Sequence, residues 1–374
     1  SYKMKIRAAV VKSVNEPYDI ETLELAEPLD DEVQVKIVAS GICHSDDAVR
    51  LGHAAYEFPG VLGHEGAGIV EKLGKNIKNF KVGDHVVLAY AYCKQCNHCM
   101  HGLPAACTDW MTLNWGKHRD DGSAPFKKED GTEINNFFFQ SSFATHTNVK
   151  ETNLIAVPKD ADLRLLGPLG CGLLTGSGTV LNGLKPTTGS SIAIFGTGAV
   201  GLAAMMTAKI MGCSTIIAVD IHDSRLSLAK ELGATHVINS KSVEVVEKIK
   251  EITKGVGVNY SIDTTGISEV MKASIDALAI KGVAAPVAVT NKDLTVNTLA
   301  DLVVYSRKII GVVMGEGIPQ ISIPQLLEFH AQGKFPYEKL IKFYDFDDIN
   351  TASSDSLSGK TIKPVLIVDR SYAA

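Results

Sequence analysis

No apolar run in this chain is long enough to span a bilayer, no block of its charge is of one sign, and its cysteines are odd in number. Each shortage removes a class of function. The longest apolar runs, such as residues 283–289, are strand-length, and Ser1-Tyr2-Lys3-Met4-Lys5 lacks the apolar stretch of a signal peptide, so a cytoplasmic protein without membrane contact is expected. With a formal net charge of −5 and acids interspersed with bases, there is no basic field to hold a nucleic acid. Four of the seven cysteines crowd into residues 93–107, a spacing that suits metal ligation better than a disulfide framework. What remains is ordinary: 45% hydrophobic and 21% charged residues describe a globular chain, and 374 residues exceed what one core usually serves. Two domains are expected.

The segment 59–86 organises the first of them. Gly63 and Gly66 flank His64-Glu65, in a turn–strand–turn–strand pattern where glycines allow conformations that a Cβ would block. A histidine between glycines is usually a loop residue. Here Cys43 and Cys171 each sit on a glycine-containing turn of their own, and two thiolates with one imidazole from three loops make an open zinc site. Residues 33–40 alternate as a half-buried strand that delivers Cys43, and residues 44–50 could form a short helix. Ser45, two residues after Cys43, could accept a proton from a bound alcohol or simply cap that helix. Asp46 could orient His64 or serve as a cap.

Cys93, Cys96, Cys99 and Cys107 offer four thiols and no vacancy, which describes a closed structural zinc site ahead of an iron–sulfur cluster. Residues 111–136 read as a polar, glycine-rich surface excursion. The aromatic run Phe137-Phe138-Phe139 with Phe143, and Trp110 and Trp115, could line an apolar pocket or belong to the core.

From residue 190 apolar runs alternate with helical segments, the signature of βαβ units around a parallel sheet. The turn Gly196-Thr197-Gly198-Ala199-Val200-Gly201 follows a strand (191–195) and opens a helix, and Asp220 ends the next strand (216–220). In that setting the glycines let backbone approach a pyrophosphate, and the acid can bind ribose hydroxyls. Further strands are expected at 258–263, 282–289, 308–313 and 364–368, with helices at 323–332 and 347–358.

Over essentially its whole length the chain resembles the zinc-dependent medium-chain alcohol dehydrogenases, most closely the aryl-alcohol branch. Gly63, His64, Glu65, Gly68 and Gly74 match the family's G-H-E-x₂-G-x₅-G; residues 138–144 and 166–172 look like that branch. The resemblance implies a β-rich, GroES-like catalytic domain (1–172, with 314–374 returning to it) and a Rossmann, doubly wound parallel-sheet domain (173–313), with the active site between. It also implies NAD, one catalytic and one structural zinc, a small alcohol or aldehyde substrate, and a homotetramer or dimer. Glu65 would lie behind the zinc. Thr175, Val287 and Val312 would contact the cofactor, as would Arg225 at the adenosine ribose and Lys363 near the pyrophosphate. Ala48 stands where liver-type enzymes carry a proton-relaying histidine, and His44 where they have a phosphate-contacting base. A polyol or secondary-alcohol dehydrogenase of the same superfamily, or a zinc-stabilised nucleotide-binding protein without turnover, are the alternatives.

Overall fold

The computed structural model describes residues 2–116 and 118–374; Ser1 and Lys117 lie outside the described residues. Two compact units emerge. One comprises the chain up to Gly172 with Ile318–Gln325 and Glu338–Ala374; the other comprises Leu173–Gly317 and Leu326–Tyr337. The expected single return after residue 313 is therefore shifted to 318 and interrupted, because residues 326–337, which hold the second half of helix Pro319–Ala331 and its C-terminal turn, pack with the nucleotide-type unit.

In the first unit the strand Glu32–Gly41 is the spine of a sheet, antiparallel to Gly66–Leu73, His146–Lys150 and Lys363–Ile367. It is not the half-buried strand its alternation implies. All of its residues but Lys36 are buried, since its neighbours cover both faces; Val33, Val35 and Ile37 pack with Val70, Val86, Leu88, Val149 and Leu154. Of its polar residues, Ser40 is 2.7 Å from the Ser142 hydroxyl.

The polar stretch 111–136 is likewise less of an excursion than its composition suggests. Phe126–Lys127 pairs with Asp19–Ala26, and Glu133–Ile134 extends that sheet. Asn114 is fully buried and bridges the amide and carbonyl of Ala91 at 2.8 and 2.9 Å. Arg119 is buried on Glu32, with its Nε 3.2 Å from both carboxylate oxygens. Losing one partner of such a buried pair strands the other, at a cost of roughly 3–5 kcal/mol.

The second unit holds six parallel strands in the order His236–Asn239, Thr215–Asp220, Ser191–Phe195, Val258–Asp263, Leu278–Pro286, Lys308–Ile309. Chain order 3-2-1-4-5-6 is that of a Rossmann sheet. Ala193, Phe195, Ile217, Val219 and Val258 lie at its core, which explains the unbroken apolar runs. The fifth strand starts at Leu278 and ends at Pro286, and Val287 falls just past it, its amide still donating to the Asp263 carbonyl at 3.0 Å. The sixth pairs at only Lys308 and Ile309, being at the sheet edge, and Val312 lies beyond it. Among the described residues, no helix is long and apolar enough to cross a membrane.

Candidate active site

Cys43 caps the helix His44–Arg50, so neither expected capping residue stands at the cap itself. Asp46 closes the first turn instead, and its carboxylate is shared three ways. Its Oδ2 accepts the Cys43 amide at 2.9 Å, while its Oδ1 accepts the Gly63 amide at 3.1 Å and lies 2.8 Å from His64 Nδ1. One carboxylate thus bonds both the amide at the helix start and the imidazole. Gly63 adopts φ +94°, where a Cβ would come within 2.6 Å of Phe143 and Ser142, so the turn before His64 needs glycine.

With Nδ1 held, His64 Nε2 faces the thiols. Cys43, His64 and Cys171 are buried, with their ligand atoms within 4.8 Å of one another. The two sulfurs are 3.8 Å apart. Two sulfurs bonded at about 2.3 Å to a tetrahedral ion would also sit about 3.8 Å apart, so the donor set fits zinc. Ser45, in the helix's first turn but not its cap, has its Oγ 3.1 Å from Cys43 Sγ and 3.1 Å from His64 Nε2. The charges suit a cation at this point. A hydrogen bond from Cys171 holds the Cys43 thiol well below its ordinary value, and sharing that proton pushes Cys171 well above. Burial disfavours the His64 imidazolium, yet Asp46 and Cys43 bring its pKa to about 10.

Glu65 lies behind this set. Burial raises its carboxyl to about 7 against the pull of Lys363, whose Nζ donates at 2.9 and 3.1 Å to Glu65 and at 2.9 Å to the Ile42 carbonyl. This corrects the expectation for Lys363: its ammonium is buried and held by Glu65, not presented to a pyrophosphate. Asp47 was missed. It accepts from Tyr18, Arg50 and Ser353 at 3.1, 3.1 and 2.7 Å and so ties down the far side of the helix; the only signal was its adjacency to Asp46.

The aromatic run resolves into a cluster on His64. Phe138 stacks on the imidazole at 4.4 Å and 17°, Phe137 meets it edge-on at 5.4 Å, and Trp110 and Trp115 pack against those rings. Phe143 packs instead on Tyr18, and Phe139 sits under the Lys150 ammonium.

The four lobe cysteines likewise bring their sulfurs within 4.8 Å. Amides of Gln95 and Cys96 point at Cys93 Sγ, those of Cys99 and Thr108 at Cys96 Sγ, and that of Cys93 at Cys107 Sγ, at 3.2–3.4 Å. Amides converging on sulfur stabilise thiolates, as a structural metal site requires.

In the second unit Gly198 caps the helix Ala199–Ile210, and a Cβ on Gly201 would lie 1.9 Å from the Gly196 carbonyl. Asp220 is the last residue of its strand and is pinned there: burial would raise its pKa, but bonds from Thr197, Ile221 and His222 lower it. Arg225 is 8% exposed, yet its Nε and Nη2 have no hydrogen-bond partner among the described residues. Two unpartnered guanidinium nitrogens beside Asp220 fit the ribose end of a dinucleotide. Thr175 lies on the helix Gly172–Gly178, its hydroxyl 4.0 Å from Met314 Sδ; His44 is exposed at the start of its helix.

Comparison with known proteins agrees. A family model described as alcohol dehydrogenase GroES-like domain matches residues 29–159, and one described as zinc-binding dehydrogenase matches 199–332. Geraniol dehydrogenase of Castellaniella defragrans is 39% identical over 96% of this chain and 97% of its own length. The crystal structure of benzyl alcohol dehydrogenase from Acinetobacter calcoaceticus shows 44% identity and a TM-score of 0.93, covering 98% of this chain and all of that one. An alcohol dehydrogenase zinc-binding domain protein from Burkholderia ambifaria gives 46% and 0.94 over the same shares. Matched end to end by such relatives, the chain belongs to the zinc-dependent medium-chain alcohol dehydrogenases and resembles their aryl-alcohol branch.

Proposed function

We propose that this alcohol dehydrogenase interconverts primary alcohols bearing an aromatic or other bulky apolar group with their aldehydes, using NAD and two zinc ions per chain. The observation that carries the substrate class is the aromatic cluster on His64. Relatives named for geraniol and benzyl alcohol lend support. Zinc in the three-donor set would act as a Lewis acid that favours loss of the alcohol proton, and NAD would accept the hydride.

The chain's own groups do the rest. Ser45 Oγ, at hydrogen-bond reach of the donor set, takes the proton. Asp46 fixes the imidazole, and Phe137 and Phe138 keep water from the rings' side of it. A phenyl group burying ~100 Å² gains about 2.5 kcal/mol, or nearly a hundredfold in kcat/KM. Benzyl and cinnamyl alcohols are therefore expected to exceed ethanol and propan-2-ol by about that factor in an NADH-absorbance assay. Parity would leave a broader alcohol dehydrogenase of the same family.

Proton exit is the second expectation. Ala48 is buried on the helix of Ser45 and offers no base, leaving water, the cofactor ribose or exposed His44 as routes. Ala48→His should raise alcohol oxidation near neutral pH several-fold, short of the ~10²-fold of a fully positioned acid–base group. An unchanged pH–rate profile would show that this step is not limiting.

A further inference from the structure

The chain has two tryptophans, and both carry a buried indole Nε1 without a hydrogen-bond partner among the described residues. An indole nitrogen is only a donor, and it cannot satisfy itself by turning an acceptor edge inward. Its surroundings supply little. Trp110 meets Phe138 edge-on at 5.6 Å and 89°, and Trp115 packs on Phe137 at 5.6 Å and Phe138 at 6.4 Å. Phe138 in turn stacks on His64, so both unpaired donors belong to the layer one ring beyond the metal-ligating imidazole. That layer is held firmly: the Phe138 amide donates to Asn114 O at 2.6 Å and its carbonyl accepts from Asn153 at 3.1 Å, with φ at +54°. Buried donors left unmade are costly, and an incoming oxygen would relieve them.

We propose that Trp110 and Trp115 are specificity-determining residues that donate their indole N–H groups to an oxygen on the ring of an aromatic alcohol. The favoured substrates are then benzyl-type alcohols with an alkoxy or hydroxyl substituent, a refinement that rests on the aryl-alcohol reading. One hydrogen bond of this kind is worth about tenfold in kcat/KM. A site built around such donors also discriminates against the analogue lacking the oxygen.

The test uses the zinc-loaded enzyme with NAD and compares 3- and 4-methoxybenzyl alcohols with the 3- and 4-methyl analogues, which carry no acceptor at that position. The methoxy-to-methyl ratio of kcat/KM should be about ten at one ring position and fall to near one in Trp110→Phe or Trp115→Phe. Taking a ratio within each variant cancels packing losses common to both substrates, and comparing the ratios between variants cancels the substituents' electronic difference. Should the variants fold poorly, inhibition of the unaltered enzyme by anisole and toluene gives a binding readout, with anisole about tenfold tighter. Flat ratios at both positions, or a ratio that survives both substitutions, overturn the proposal, as would happen if water already satisfied the indoles. If benzyl alcohol is preferred over ethanol but the ratios are flat, only this inference fails. If benzyl alcohol shows no preference, the aryl-alcohol reading fails with it.

Discussion

Cys43→Ser is expected to fold, to hold one zinc against the two expected of the unaltered chain, and to lose at least ~10³-fold in turnover, whereas Cys96→Ser should unfold or aggregate. The contrast follows from what surrounds each sulfur. Cys43 sits in a unit whose strands are already packed, and Asp46 still bonds His64 Nδ1, the Gly63 amide and the residue-43 amide when the thiol is gone. Only the Lewis acid is lost, worth several kcal/mol in the transition state. The lobe around Cys96 has no such reserve. Its helix Asn97–Met100 buries none of its residues, and Met100 and Leu103 are exposed. Zinc binding at such a site is folding free energy, about 10–16 kcal/mol in isolated zinc fingers. Zinc content per chain, circular dichroism melts and the NADH assay read the three outcomes; one zinc in the unaltered protein, or an active Cys43→Ser enzyme, would refute the assignment.

NAD should be preferred over NADP by roughly a hundredfold in kcat/KM. A 2′-phosphate about 5 Å from the Asp220 carboxylate meets roughly 3 kcal/mol of repulsion at an effective dielectric of about 20. The carboxylate cannot swing away, because four donors from Thr197, Ile221 and His222 hold both its oxygens. Nor is it readily neutralised, since those bonds keep its pKa low. Arg225 works the other way, its unpaired nitrogens being available to an anion, so the preference stops short of exclusion. Asp220→Ala should narrow the gap by an order of magnitude or more. A higher kcat/KM with NADP in the unaltered enzyme would contradict this.

The two groups of candidate metal donors were legible because cysteine and histidine are rare and stood on glycine turns, and the parallel sheet because strands buried on both faces leave unbroken apolar runs. The glycine turn and Asp220 were legible as a local pattern. What the sequence hid are partners with no local spacing. Glu32 and Arg119 are 87 residues apart, and Glu65 and Lys363 are 298. Lys363 was placed by resemblance at a phosphate because nothing near it in the chain announces a buried carboxylate. The aromatic run was ambiguous for a different reason: a ring packed on the His64 imidazole is buried like any core ring, and only the neighbour distinguishes them.

Lys363 lies on the strand Lys363–Ile367, nearly three hundred residues after the histidine turn it serves. In a chain that emerges from the ribosome in order, every proposed zinc ligand has appeared by Cys171 and the whole nucleotide-type unit by Tyr337, yet the cation that neutralises Glu65 has not. The first unit begun is thus the last one finished, and until its final strand docks it holds an unpaired carboxylate beside its two buried thiols.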